Sequence, residues 1–123
     1  SLISNLIPLG VCESISLNPV KKVYIPNNGN DPEQYGMTLT DMVSGLIDYL
    51  KRGAPGAKVE ELLNYVVIDS ERGRYPGKPD IKAIEKLGVK VLDTVLLRNH
   101  NSEYYDNDLL ISLLVKMANN TEF

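Results

Sequence analysis

The sequence predicts an α/β fold built on a mainly parallel sheet, and three observations predict it. Apolar runs of two kinds alternate along the chain. Short runs such as Val23-Tyr24-Ile25 and Tyr65-Val66-Val67-Ile68 are rich in β-branched and aromatic residues, as strands are. Longer runs carry apolar residues at steps of three and four, as helix faces do. The resulting order is helix, strand, helix, strand, helix, strand, helix, which layers helices on a parallel sheet. Lastly, a polar segment follows each strand, and the first, rich in Asn, Gly, Asp and Pro, lies where ligands sit in open sheets of this kind.

The elements follow in chain order. Leu2, Ile3, Leu6 and Ile7 form a helical face that Pro8 interrupts, and Val11, Cys12 and Ile15 form a second short one. A domain seldom opens on an apolar helix with no cap or polar lead-in. After the strand at residues 23–25 comes a polar loop. Thr38 then stands as the N-cap of a helix, with Asp41 three residues on as a capping-box partner. Leu39, Met42, Val43, Leu46, Ile47 and Leu50 give this helix one wide apolar face. Lys51 and Arg52 suit its negative end, and Gly53 suits the position just past it.

Val59, Leu62 and Leu63 indicate a short helix, followed by the buried strand Tyr65 to Ile68. A polar loop with two Gly and two Pro leads to Asp80, which can cap a helix over residues 81–88 that Gly88 ends. Val89 to Leu97 reads as a strand region, and residues 98–108 as a loop. Leu109, Leu110, Leu113, Leu114 and Met117 mark a last amphipathic helix. Three strands make a thin sheet against the usual ~4–6. Parallel strands need cover on both faces. Residues 1–123 are therefore expected to be one α/β portion, the C-terminal half of a larger domain.

Composition bounds the function. The 123 residues suffice for one domain, and the 43% apolar and 24% charged shares are ordinary for a globular chain. Thirteen basic and 16 acidic residues leave a net charge of −3, which argues against nucleic acid or an anionic membrane as partner. One cysteine, Cys12, gives no internal disulfide, and one histidine, His100, excludes any mechanism needing two imidazoles. Cys12 reads as packed and His100 as exposed. No apolar run approaches the ~20 residues of a membrane helix, and the expected location is the cytoplasm.

The collinear series SLISNLIP, GVCESI, KKVYIPN, G-M-T-L-T-D, LLNYVVID and KPDIKAIEKLGVKVLDTVLL resembles the C-terminal half of a known family. That family joins 2-phospho-L-lactate transferases with bacterial gluconeogenesis factors, and the gluconeogenesis-factor branch is the more similar. In it a G-P-G-S motif leads into a helix, and Ser1 would be its last residue. Asn27 matches the Asn at the strand end, and Gly36, Thr38 and Asp41 match the signature opening the next helix. Met42 stands where the branch has His, and Tyr35 where it usually has an acidic residue. The branch's loop motif appears as GNDPEQ, and its later Asn-Asn as Asp69-Ser70.

The resemblance implies a Rossmann-like, three-layer fold. It implies a regulatory protein binding a nucleotide sugar or related phosphorylated metabolite, with Ser1, Asn27, Asn28, Gly36, Thr38 and Asp41 as ligand-binding residues. An alternative is a phospholactate-type transferase with a nucleotide diphosphate donor, with Mg2+ held in the full-length protein; another is a non-catalytic fragment. A homodimer stays open beside the monomer.

Each residue also has a plainer reading. Asn27 could bond its own turn, and Asn28, Gly29 and Asn30 could form a surface turn. A capping box explains Thr38 and Asp41 without a ligand. Arg72 and Arg74 could reach a phosphate or stay solvated. No nucleophile–base pair, metal spacing or Gly-rich phosphate motif is visible.

Overall fold

Why β1 (Val23–Tyr24) is so short is a matter of where its neighbours' hydrogen bonds go. The structure, a computed structural model, describes residues 15–17, 20–29 and 36–119. The expected N-terminal helices lie outside these residues except for a helical turn at 15–17, as do Ser1, Cys12, Asn30 and Tyr35. The carbonyl of Lys22 accepts from the N–H of Asn64 and of Tyr65 at 2.9 and 3.1 Å. Lys22 N–H donates to Asn64 Oδ1 at 2.8 Å, so a side chain takes over where the ladder begins. Pro26, which has no N–H, follows at the other end.

Helix α1 (Leu39–Gly53) buries the six apolar residues that the periodicity picks out. Thr38 Oγ1 accepts from Asp41 N–H, and Asp41 Oδ2 accepts from Thr38 N–H, so the capping box is closed both ways. Its far end differs from expectation. Gly53 is the last helical residue, Ala54 is the C-cap, and the left-handed glycine comes at Gly56, with φ 86°.

Helix α2 (Val59–Leu62) leads into β2 (Tyr65–Ile68), all four of whose residues are buried. Asp80 caps α3 (Ile81–Glu85) through Ala83 N–H. This helix is shorter than the apolar pattern suggests, because Leu87 and Gly88 N–H bond only three residues back, in turns. Strand β3 (Lys90–Asp93) is also shorter than expected. Thr94 N–H still reaches Ile68 O, but the amides of Leu96 and Leu97 turn to the carboxylate of Asp69. Helix α4 (Asn107–Asn119) closes the described fold.

The sheet is open, parallel and ordered β1-β2-β3, with Tyr65 beside Val23 and Lys90 and Ile68 beside Asp93. Its two faces follow from strand alternation. Tyr24, Val66, Ile68 and Val91 pack with α1, α2 and α3 on one face. Val23, Ile25, Tyr65, Val67 and Leu92 face Leu96 and the α4 residues Leu110, Leu113 and Met117 on the other. The fold is thus mixed α/β with helices on both faces of a three-stranded sheet. Val66, Val67 and Ile68 are fully buried, and each such side chain contributes about 1.5–3 kcal/mol. No described helix is long and apolar enough to cross a membrane.

Candidate binding site at the carboxyl edge of the sheet

The segments that leave the three strands are tied together around Asp69. This residue follows β2 and is 1% exposed. Its Oδ1 accepts from Arg72 N–H at 3.0 Å, and its Oδ2 from Leu96 and Leu97 N–H at 3.0 and 3.2 Å. Burial pushes its pKa up and is the largest single influence. The N–H groups of Leu96, Arg72, Leu97 and Glu71 together outweigh it and hold the carboxyl below its usual value.

A second set of bonds runs outward from the same residue. Asp69 N–H donates to Tyr75 Oη at 2.9 Å, Tyr75 and Tyr105 hydroxyls lie 2.9 Å apart, and Tyr105 O–H donates to the carbonyl of Pro26. Tyr105 has one proton and gives it to Pro26, so Tyr75 is the donor to Tyr105. Burial, then the bond to Tyr75, pushes the Tyr105 phenol far up; burial likewise raises Tyr75. The chain of bonds joins the ends of β1 and β2 to the loop before α4.

Asn28 performs a similar task nearer the surface. Its Nδ2 donates to the carbonyls of Ser102 and Glu103 at 3.2 and 3.1 Å, and its Oδ1 accepts from Arg74 N–H at 2.6 Å. Gly29 N–H adds a bond to Arg74 O at 2.7 Å. Between β2 and β3, Ser70 N–H and hydroxyl both donate to the Asp93 carboxylate. That pair couples adjacent strand ends. Among the described residues no group of three or more His, Cys, Asp and Glu could hold a metal ion.

The sequence-derived candidates fall into three groups. Asn27 is exposed, and its side chain makes no hydrogen bond among the described residues. Asn28 is half-buried with both amide protons and its oxygen engaged in loop–loop bonds. Gly36, with φ 84°, is an exposed turn residue leading to Thr38, and Thr38 and Asp41 engage each other. Ser1 lies outside the described residues. The loop after β2 lies against two of these places: Arg74 bonds to Asn28, and a Cβ added at Gly77 would stand 4.0 Å from Thr38 Cγ2. His100 is exposed, as its polar surroundings suggest.

Tyr75, Tyr105 and the clamped backbone of Arg74 escape sequence reasoning, and Asp69 enters it only as the counterpart of the branch's later strand-end Asn. The one local signal is an acidic residue ending a fully apolar run, Val66-Val67-Ile68-Asp69, which points to a carboxylate at a buried strand end. An open depression of 440 Å3, lined by Lys21, Asn64, Tyr65, Glu85, Gly88, Val89 and Lys90, lies at the opposite, amino edge of the sheet. Compared with family models, with curated proteins and with solved structures, the chain finds no match.

Proposed function

We propose that the chain is the C-terminal part of a Rossmann-like regulatory protein of the gluconeogenesis-factor type. It takes a nucleotide sugar or a related phosphorylated metabolite across the carboxyl ends of its strands. The supporting observation is that the loop after β2 bonds to the turn that ends β1 and passes close to the start of α1, where a Cβ added at Gly77 would stand 4.0 Å from Thr38 Cγ2. An exposed Asn27 thus shares an edge with the first turn of a 15-residue helix. The capping box occupies the amides of Thr38 and Asp41, while those of Leu39 and Thr40 have no acceptor among the described residues. Amides so placed attract phosphate oxygens, and the helix dipole adds to this. A binding role rather than a catalytic one fits a set of residues that hold loops and present hydrogen-bond donors.

The test is calorimetric titration of the full-length protein with a uridine-diphosphate sugar, with and without Mg2+. Heat of binding and a raised melting temperature are expected. Asn27→Ala is expected to weaken that binding and leave the melting temperature of the free protein unchanged, since its side chain supports nothing described. Absence of heat and of any melting shift under both conditions removes the proposal.

A further inference from the structure

The three arginines of the carboxyl edge have unequal commitments. Arg72 Nη1 donates to the carbonyls of Leu97 and Arg98, at 2.9 Å each, and holds the loop after β3. Arg98 Nε is bonded to Asp106 at 2.5 Å, at the entrance to α4. Arg74 is exposed, and its guanidinium has no acceptor among the described residues.

Its backbone, by contrast, is held on every side. Arg74 N–H bonds to Asn28 Oδ1 and its carbonyl accepts from Gly29 N–H. The next residue, Tyr75, is buried with its hydroxyl bonded to Asp69 N–H. The preceding residue is Gly73, where a Cβ would lie 2.4 Å from Asp69 O and 2.6 Å from the Tyr75 ring, so only glycine fits. A loop wound this tightly around a buried carboxylate and a buried phenol holds the Arg74 backbone against the Asn28–Gly29 turn, and its exposed guanidinium has no acceptor among the described residues. Fixed placement of that kind is what a binding side chain needs, because the backbone loses no freedom on binding.

We infer that Arg74 is the anion-gripping side chain of this edge and that the group it takes is a phosphate or diphosphate. Glu71 and Glu103 are exposed in the same loops, so no general excess of positive charge surrounds it. The anion is then held by directed hydrogen bonds; a planar guanidinium can bind two oxygens of a carboxylate or a phosphate at once, and the binding role proposed above selects phosphate. The inference deepens the binding role proposed above and rests on it for its biological meaning, but its test uses a simpler ligand.

The experiment is calorimetric titration of the full-length protein with inorganic pyrophosphate at low ionic strength, with malonate as the carboxylate comparison. Pyrophosphate is expected to bind and malonate to bind more weakly. Arg74→Gln is expected to weaken pyrophosphate by about tenfold, the loss of one charge-assisted pair. Arg74→Lys, which keeps the charge and loses the fork, falls between. Arg98→Gln should stay within about twofold of the parent protein. Because only the backbone of Arg74 is used in the fold, the melting temperature of Arg74→Gln should match that of the parent. No binding of pyrophosphate, equal binding of malonate, or an Arg98→Gln loss as large as that of Arg74→Gln overturns the inference. If Arg74→Gln keeps full affinity for both pyrophosphate and the nucleotide sugar, the inference falls while the binding role stands.

Discussion

A carboxylate at 1% exposure keeps its charge only if donors replace its water, and Asp69 has four backbone N–H groups that do so. Asp69→Asn would turn an NH2 toward amides that are themselves donors. It is expected to cost about 3 kcal/mol, as breaking a buried charge-assisted network does, read as a lower midpoint of urea unfolding. The pH dependence has a definite sign. The folded pKa lies below the unfolded one, so the stabilisation is complete above the unfolded value, about 3.9. It is lost as pH falls through the folded value. The parent protein should therefore lose melting temperature below about pH 4 more steeply than Asp69→Asn. Asp106 is lowered too, by Leu109 N–H and then by Arg98, and its contribution is common to both proteins. Parallel melting curves for the two proteins across that range would contradict the role given to Asp69. The local sequence shows a carboxylate at a buried strand end but not its donors, since those at 96 and 97 come from a segment whose apolar residues read as strand. Asn28 is the complementary case. Its type and its place at a strand end suggest a ligand, and which partners occupy its amide depends on carbonyls at 102 and 103, far along the chain.

At the scale of an element, legibility follows how local the forces are. Helix α1 is readable because its apolar spacing, its cap and its acidic first-turn residue all lie within a few residues of one another. β2 is readable because it is buried on both faces and so uniformly apolar. β3 is readable in place but not in length, since Asp69 withdraws the amides that would extend it. The cap of α4 is Asp106, whose Oδ1 accepts from Leu109 N–H, and the apolar pattern alone starts that helix too late. Within α4, Leu110, Leu113 and Met117 face the sheet while Ile111 and Val115 are exposed at 59% and 52%; Leu114, which the pattern assigns to the inner face, is 37% exposed. The capping box of α1 makes a prediction that separates architecture from ligand. Thr38→Ala should lower stability by about 1 kcal/mol. Asp41→Ala should add less to Thr38→Ala than it costs alone, because the two side chains satisfy one reciprocal pair. Thermal unfolding of the two single variants and the double variant measures it. Strict additivity would mean that the box is not formed in solution.

Among the described residues two cores lie on the two faces of the three-stranded sheet, and α4 is the helix packed on the second face. What joins that cover to the strand ends is the chain of bonds from Asp69 N–H through Tyr75 and Tyr105 to the carbonyl of Pro26. Tyr105 also packs in the second core, against the α4 side of the sheet. Tyr105→Phe keeps the ring and removes one oxygen, which leaves the Pro26 carbonyl without its donor and the Tyr75 hydroxyl without its acceptor. A cost of about 1–3 kcal/mol is expected. Tyr75→Phe leaves Asp69 N–H without an acceptor and should cost a similar amount. Because the middle bond is common to both, the double variant should be more stable than the sum of the single losses implies, by about 0.5–3 kcal/mol. Hydrogen exchange then locates the effect. In Tyr105→Phe the amides of α4 should exchange faster, since its tether to the strand ends is cut, while those of α1, on the opposite face, should keep their protection. Faster exchange spread evenly over both helices would mean that the two cores open as one unit, and that the tyrosine pair does not determine which face lets go first.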